Sequence, residues 1–309
     1  MNPNCKKRMG AIRLENMKVI EQEEIAPAIF ELVLEGEMVE AMKAGQFLHL
    51  RVPDDAHLLR RPISISSIDK AKKQCHLIYR IEGSGTAIFS TLKTGDSLDV
   101  MGPQGNGFDL SDLDKQSHVL LVGGGIGVPP LLEVAKQLDE RGVDVTTVLG
   151  FATKDAVILE DELSKYSKVF VTTDDGSYGF KGNVNDCLKD LLANHGKEYT
   201  RVVAIGPMIM MKFVCLTTKE LGIPTIVSMN PIMVDGTGMC GACRLSVGGK
   251  IKFACVDGPE FDGHLINFDE AMNRQRMYKS EEGRKLLKEQ EGETHKGPGC
   301  ATPNPQKVD

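Results

Sequence analysis

Three cysteines and one aspartate late in the chain are the residues best suited to chemistry. The segment begins Asp235-Gly-Thr-Gly-Met-Cys240-Gly-Ala-Cys243, and eleven further residues lead to Cys255. One class of [2Fe–2S] site has the spacing C-x4-C-x2-C…C, which this segment matches at three positions with Asp235 at the fourth. A carboxylate carries the same single negative charge as a thiolate and can ligate iron. We therefore predict a [2Fe–2S] cluster held by Asp235, Cys240, Cys243 and Cys255.

Two other readings of the same residues stay open. Three cysteines and an aspartate also suit a structural zinc ion, and the cysteines can instead be reduced thiols in a packed loop. Gly236, Gly238 and Gly241 favour a turn that curls around a metal centre and directs backbone N–H groups at sulfur. Spacing alone does not separate a cluster from zinc.

A glycine-rich turn in the middle of the chain predicts a nucleotide site. The apolar run His118–Val122 leads into it, and a helical pattern from Leu131 to Leu138 follows. A strand, a glycine turn and a helix in this order present backbone N–H groups to a dinucleotide diphosphate. The sequence has the form G-x-G-x-x-P rather than G-x-G-x-x-G, and its predicted contacts are Gly124, Gly125, Ile126, Gly127 and Pro130.

Strands and helices alternate from there to Ser228, which predicts a parallel sheet covered on both faces. Ligands of such sheets bind beyond the C-terminal ends of the strands. A second turn at such an end supplies Gly206, Pro207 and Met208 as predicted contacts. A third contains Asp174 and Asp175, which favour NAD over NADP because they would repel a 2′-phosphate. The alternative for these two residues is a solvated acidic turn.

The first third reads as short strands separated by Gly, Pro and Asp, which predicts a small antiparallel barrel. Arg61 followed by Ser64 offers a charged clamp and a hydroxyl for a diphosphate. Gly85 and Thr86 would open a helix from Ala87 to Leu92 whose first N–H groups can meet phosphate. Each of these features alone is also compatible with an ordinary barrel strand and turn.

The order of these features resembles the flavin-binding barrel of the ferredoxin–NADP reductase superfamily. The resemblance implies FAD lying with its ring system against Ile63 and Ser64, beside Tyr79. Its implied contacts are Arg61, Pro62, Ile63, Ser64, Ile78, Tyr79, Arg80, Gly85 and Thr86. In that superfamily a Cys-Gly-Pro turn sits beside the nicotinamide, and here Ile205 replaces the cysteine, so no thiol is expected at the hydride site.

The predicted fold class is multidomain. It combines an FAD-binding β-barrel over 1–113, an NAD-binding α/β domain over 114–228, a [2Fe–2S] module over 229–268, and a charged helix with a disordered tail over 269–309. The helix would start at a cap formed by Asn267, run to about Gln290 and break at Gly283. The tail would begin at Gly292.

This arrangement resembles two related families of electron-transfer subunits. One is the small subunit of the bifurcating NADH-dependent reduced ferredoxin:NADP oxidoreductase, and the other is the electron-transfer subunit of dihydroorotate dehydrogenase. The resemblance implies FAD, a [2Fe–2S] cluster and NAD(H), and a larger partner subunit carrying flavin and [4Fe–4S] clusters. Ferredoxin and NADP(H) would be reached only through that partner. Asp235 in place of cysteine and the charged C-terminal segment favour the first family.

Composition and charge exclude several classes of protein and indicate the cellular compartment. A net charge of −6 and a pI near 5.7 argue against nucleic-acid binding, and no apolar run is long enough to span a membrane. The N-terminus lacks a secretory signal pattern and the other cysteines are scattered, which predicts a cytoplasmic protein. A zinc-bound nucleotide-sensing subunit without turnover, and a reductase acting without a permanent partner, remain alternatives.

Overall fold

The computed structural model describes residues 12–195 and 199–291 of the 309-residue chain. A β-barrel, a mainly parallel sheet and a small C-terminal module follow one another along these residues, which confirms the predicted fold class. The expectation of a disordered tail falls outside the described residues. The boundaries at 113, 228 and 268 stay predictions.

Six antiparallel strands close the barrel in the order β1-β2-β5-β4-β3-β6. They are β1 Arg13–Ala26, β2 Ile29–Glu35, β3 Phe47–Leu50, β4 Arg61–Asp69, β5 Gln74–Arg80 and β6 Ser97–Gln104. Alternate side chains of each strand point inward, so Leu48, Leu77 and Tyr79 fill the interior. The long β1 was missing from the predicted strands, because only Met17 and Val19 of its mostly polar sequence enter that interior.

The second sheet has the order β10-β9-β8-β7-β11-β12-β15. Its strands are β7 His118–Gly124, β8 Asp144–Phe151, β9 Lys168–Thr173, β10 Phe180–Lys181, β11 Arg201–Ile205, β12 Thr225–Ser228 and β15 Glu260–Asp262. From β7 the chain adds strands first toward one edge of the sheet, up to β10, and then toward the other edge from β11 onward. Open α/β sheets bind ligands at the point where this order switches, which here lies between β7 and β11. The turns that leave β7 and β11 are the two glycine turns predicted as nucleotide contacts.

The predicted parallel sheet is confirmed, and the structure adds one antiparallel strand at its edge. Strand β15 comes from the C-terminal module and pairs antiparallel with β12, with Val227 opposite Phe261. The hairpin of β13 Arg244–Val247 and β14 Lys250–Phe253 is confirmed. The module is thus hydrogen-bonded to the sheet and does not hang from a linker.

The helices are α1 Ser84–Phe89, α2 Pro129–Asp139, α3 Glu160–Ser164, α4 Val184–His195, α5 Met208–Glu220, α6 Ala254–Asp257, α7 Phe268–Gln275 and α8 Lys279–Glu291. Helix α1 begins at Ser84, three residues before the predicted start. Within the described residues, every helix is too short or too polar to span a lipid bilayer.

The predicted cap at Asn267 is confirmed, because its side-chain oxygen accepts a hydrogen bond from the Glu270 N–H at 3.1 Å. The predicted break at Gly283 was wrong, since Gly283 lies inside α8. The chain instead turns between α7 and α8. Near the end of α7, the Arg274 guanidinium donates a hydrogen bond to the Ala242 carbonyl at 3.2 Å and connects the helix to the module.

Candidate cofactor site

A cleft of about 510 Å³ opens where the barrel, the sheet and the module meet. Its walls contain every predicted nucleotide contact except Gly85, Asp174, Asp175 and Met208. The barrel contributes Arg61, Pro62, Ile63, Ser64, Ile78, Tyr79, Arg80 and Thr86, and the sheet contributes Gly124, Gly125, Ile126, Gly127, Pro130, Gly206 and Pro207. Two distant sets of predicted residues are thus brought to one cavity.

Arg61 and helix α1 form the barrel end of the cleft. The Arg61 Nε atom lies 2.9 Å from the position that a Cβ would take on Gly85, so only glycine leaves room for the guanidinium there. The Thr86 hydroxyl accepts from the Glu82 N–H at 2.9 Å and holds the turn that starts the helix. Gly85 therefore lies behind Arg61, and Arg61 faces the cleft as a cation suited to a diphosphate.

Strand β5 presents Ile78 and Arg80 to the outside of the barrel and Tyr79 to its interior. The Tyr79 side chain is 1% exposed, its hydroxyl donates to Gln22 Oε1 at 3.0 Å, and its ring stacks on Phe30 at 5.9 Å. Tyr79 also lines the cleft, so its expected place beside the flavin stays a prediction. The period-two alternation of the strand places this ring in the core.

The two glycine turns of the sheet touch backbone to backbone. A Cβ on Gly127 would lie 2.6 Å from the Gly206 Cα, and one on Gly124 would lie 3.0 Å from the Pro207 side chain. Gly125 has φ +52° and faces open space, with the Arg80 guanidinium 3.9 Å from its Cβ position. Small residues thus let the peptide groups of both turns form one wall of the cleft.

Three of the predicted contacts lie elsewhere. Met208 is the first residue of α5, and its side chain is 2% exposed and packs in the core, away from the cleft. Asp174 and Asp175 lie on an exposed turn at the end of β9 and do not line the cleft. Hydrogen bonds from the Ser177 hydroxyl and N–H lower the pKa of Asp175.

The sequence interpretation missed the third wall. The segment after β12 contributes Met229, Asn230, Pro231 and Met233, and Pro259 joins them from the module. The sequence could have indicated this wall, because residues that follow a parallel strand lie at the ligand-binding edge of the sheet. This segment runs directly from the cleft into the turn that carries Asp235, and so links the two predicted sites.

The four predicted metal ligands lie on this turn and on the return of the hairpin. The Cys243 and Cys255 sulfur atoms are 3.3 Å apart and buried, whereas Cys240 is exposed. A hydrogen bond from Cys255 lowers the pKa of Cys243 to about 7, and the same contact raises the pKa of Cys255. The contact thus favours the thiolate form of Cys243, the form that ligates metals.

Asp235 is folded onto the same turn. Its carboxylate accepts from the Thr237 N–H at 2.8 Å and the Cys240 N–H at 2.9 Å. In the described part of the chain, no three ligand side chains are already drawn into the geometry of a metal site. The donor set nevertheless fits a cluster, because two sulfurs and a carboxylate lie on one short turn, the third sulfur lies on α6 directly after the hairpin, and two of the sulfurs are already in contact.

Glu260 has a buried carboxyl group that should make the stability of the protein depend on pH. Burial at the junction of barrel, sheet and module raises the pKa of its carboxyl to about 8. Between its ordinary value of 4.5 and about 8 the folded protein holds a proton that the unfolded chain has lost. The free energy of unfolding should therefore fall as pH rises through this range, by at most about 1.4 kcal/mol per pH unit.

We expect Glu260→Gln to flatten this dependence. The variant should melt near the wild-type temperature at pH 5 and above it at pH 8, as measured by thermal unfolding of the cofactor-loaded protein. Asp262→Asn, on the exposed face of the same strand, is the matched control and should leave the slope unchanged. Equal slopes for Glu260→Gln and wild type would contradict a buried neutral carboxyl.

Comparison with known proteins agrees with this geometry. The family model of the oxidoreductase FAD-binding domain matches residues 16–108, and that of the iron–sulfur cluster binding domain of dihydroorotate dehydrogenase B matches residues 230–267. A structure of a ferredoxin NADP+ reductase from Neisseria gonorrhoeae with bound FAD and NADP superposes with a TM-score of 0.57. It is 19% identical and aligns over 68% of this chain and 92% of that one, which shows the fold alone.

Several relatives are much more similar. The dihydroorotate dehydrogenase B (NAD(+)) electron transfer subunit of Streptococcus pneumoniae R6 is 68% identical over 81% of this chain and 97% of its own length. A Thermotoga maritima homologue of that subunit is 41% identical over 89% and 95%. A chain from the structure of the NADH-dependent reduced ferredoxin-NADP oxidoreductase, described for flavin-based electron bifurcation, is 38% identical. It covers 88% of this chain and 98% of that one, with a TM-score of 0.79.

The barrel, the sheet and the cysteine module together define a flavin and iron–sulfur oxidoreductase subunit with a ferredoxin-reductase-like fold. More narrowly, the chain belongs to the family of dihydroorotate dehydrogenase B electron transfer subunits.

Proposed function

We propose that this chain moves electrons between NAD(H), FAD and a [2Fe–2S] cluster, and exchanges them with a larger flavin and [4Fe–4S] partner in the cytoplasm. The observation that supports this best is the shared cleft. It is walled by the barrel, by the two glycine turns, and by the segment that continues into the cysteine turn. A nucleotide, a flavin and a cluster held by these residues would be neighbours.

Each wall has its own task in this proposal. Arg61 and the start of α1 would hold the diphosphate of FAD, and the backbone of Gly125 and Gly206 would hold the nicotinamide dinucleotide. FAD supplies the chemistry that joins a two-electron hydride donor to a one-electron carrier. The protein supplies positioning, and no side chain of the cleft is needed as an acid or base for the hydride step.

Two partners are compatible with the family. Asp235 at the position where the ligand pattern has cysteine favours the larger subunit of a bifurcating NADH-dependent ferredoxin:NADP oxidoreductase, and the fold similarity to a chain of that enzyme supports it. The 68% identity to the pneumococcal subunit supports a dihydroorotate dehydrogenase partner equally well. Affinity purification from native cells under anaerobic conditions, with identification of the retained large subunit and its activity, separates the two.

The first experiment is the visible absorption spectrum of the anaerobically purified chain before and after NADH. We expect flavin bands and a broad iron–sulfur shoulder, with the flavin bands bleaching when NADH is added. A colourless protein that contains zinc would overturn the proposal in favour of a nucleotide-sensing subunit. Flavin without any iron on metal analysis would contradict the cluster assignment while leaving the hydride step intact.

Asp235→Cys tests the ligand assignment. A carboxylate donates less electron density than a thiolate, so we expect the cluster of the variant to have a lower reduction potential than the wild-type cluster. The comparison is with [2Fe–2S] centres in which histidines replace two cysteines, because loss of the thiolates raises the reduction potential there. Redox titration followed by EPR measures this. Asp257→Asn, a nearby carboxylate outside the ligand set, is the control. An unchanged or higher potential for Asp235→Cys would remove Asp235 from the ligands.

A further inference from the structure

Two buried polar side chains of the barrel remain unexplained by the cofactor contacts described above. His49 on β3 is 0% exposed and Gln104 at the end of β6 is 1% exposed. Among residues 12–195 and 199–291, neither ring nitrogen of His49 and neither amide atom of Gln104 has a hydrogen-bond partner. Buried polar groups almost always have partners, so four unpaired atoms on two neighbouring strands indicate a missing binding contact.

Both side chains face the turn that carries the predicted metal ligands. The Gln104 amide group lies against the Cβ position of Gly236, the residue after Asp235, with its oxygen nearest and its Nε2 atom at 2.8 Å. The negative charge of Asp235 acts on the His49 ring and opposes the loss of its proton. Strand alternation explains this placement, because Leu48 lies inside the barrel and His49 therefore points outward to the module.

Both side chains can donate hydrogen bonds. The Gln104 amide has two N–H donors. The His49 ring carries at least one N–H donor whether it is neutral or protonated. Thiolates, sulfide and a ligating carboxylate are all acceptors, and hydrogen bonds to them help to set the reduction potential of an iron–sulfur cluster.

We propose that His49 and Gln104 donate N–H hydrogen bonds to the iron–sulfur site on its barrel-facing side and raise its reduction potential. The proposal rests on the proposed function, because it requires the cluster to be held at Asp235 and the three cysteines. When the site gains one electron its negative charge increases and the two hydrogen bonds strengthen. No proton leaves either side chain, so the step changes charge by one electron only.

The same strand also reaches the flavin cleft. Phe47 lines the cleft, and its ring centre is 5.6 Å from that of His49, two residues along β3. The two donors would therefore face the iron–sulfur site from the strand that also reaches the flavin cleft. They would stabilise charge at the point where an electron arrives from the cleft.

Replacement of the donors by apolar residues tests the proposal. Redox titration of the complete, cofactor-loaded chain, followed by EPR, should give lower cluster potentials for Gln104→Leu and His49→Leu. We expect the double variant to shift the one-electron equilibrium at least tenfold, which corresponds to about 59 mV. His49→Gln keeps a donor and should recover part of the shift. The matched controls are Gln74→Leu and His76→Leu, which lie on β5 and bond to Glu35 and Glu31.

A second measurement does not depend on the variants being stable. Pulsed EPR of the reduced wild-type protein with ¹⁵N in its histidines or its glutamines should show one coupled nitrogen from each residue type. Unshifted potentials in variants that retain cluster and flavin would overturn the proposal, and so would the absence of both couplings. Neither result would contradict the proposed function, which fails only if the visible absorption spectrum of the wild-type protein lacks the bands of the flavin or of the cluster.

Discussion

We expect the Arg61→Ala variant to bind FAD about 10- to 100-fold more weakly than the wild-type chain. The Arg61 guanidinium lies over Gly85 at the barrel end of the cleft, where it can form charge-assisted hydrogen bonds with a diphosphate. Loss of a hydrogen bond to a charged group costs about 1.5–3 kcal/mol, which corresponds to that range of affinity. Flavin occupancy after gel filtration, and the rate at which flavin fluorescence appears on dilution, measure the effect.

Two variants separate this role from general damage to the barrel. Arg51→Ala removes an exposed arginine that pairs with Asp99 at 3.7 Å, and it should retain FAD like the wild type. Arg61→Lys keeps the charge but loses the planar pair of donors, so its affinity should fall between those of Arg61→Ala and wild type. Full FAD occupancy in Arg61→Ala would move the diphosphate site away from α1.

The second large effect concerns Gly127. A Cβ at this position would overlap the carbonyl oxygen of Ile205 and lie 2.6 Å from the Gly206 Cα, so both glycine turns must shift to admit it. Overpacking of this kind costs about 1–3 kcal/mol. We expect Gly127→Ala to reduce flavin reduction by NADH about 5- to 100-fold while FAD remains bound. Stopped-flow absorbance at several NADH concentrations measures the rate.

The matched control for Gly127→Ala is Gly283→Ala. That glycine lies within α8, and a Cβ added to it meets open space. Its reduction rate should equal that of the wild type. If Gly127→Ala lost FAD as readily as NADH reactivity, the glycine turn would be supporting the fold of the cleft and not the nucleotide alone. An unchanged rate with NADH would exclude the turn from the nucleotide site.

Local sequence patterns were sufficient for the elements that dominate the fold. The glycine turn from Gly123 to Pro130, the hairpin around Gly248 and the cap at Asn267 each depend on the backbone preferences of a few adjacent residues. For that reason their predicted positions agree with the structure. The long β1 was missed, because it has only two inward-facing apolar residues and the pattern of alternation is weak.

The resemblance to flavoprotein reductases predicted which residues contact the cofactors, and the structure shows in which direction the side chain of each residue points. Tyr79 and Met208 were both predicted as cofactor contacts; both are buried, and of the two only Tyr79 lines the cleft. Which face a side chain occupies depends on the phase of its strand or helix relative to the core. A one-residue change in that phase moves the side chain from the cleft to the interior.

By itself, the sequence was sufficient to locate the two glycine turns and to predict the donor set of the cluster and the arginine clamp, because each depends on residue type and short spacing. Only the tertiary structure decided that these sites share one cleft, that β15 bonds the module to the sheet, and that His49 and Gln104 face the cysteine turn. These relations join residues far apart in the chain. They arise from packing between the barrel, the sheet and the module, which no local pattern encodes.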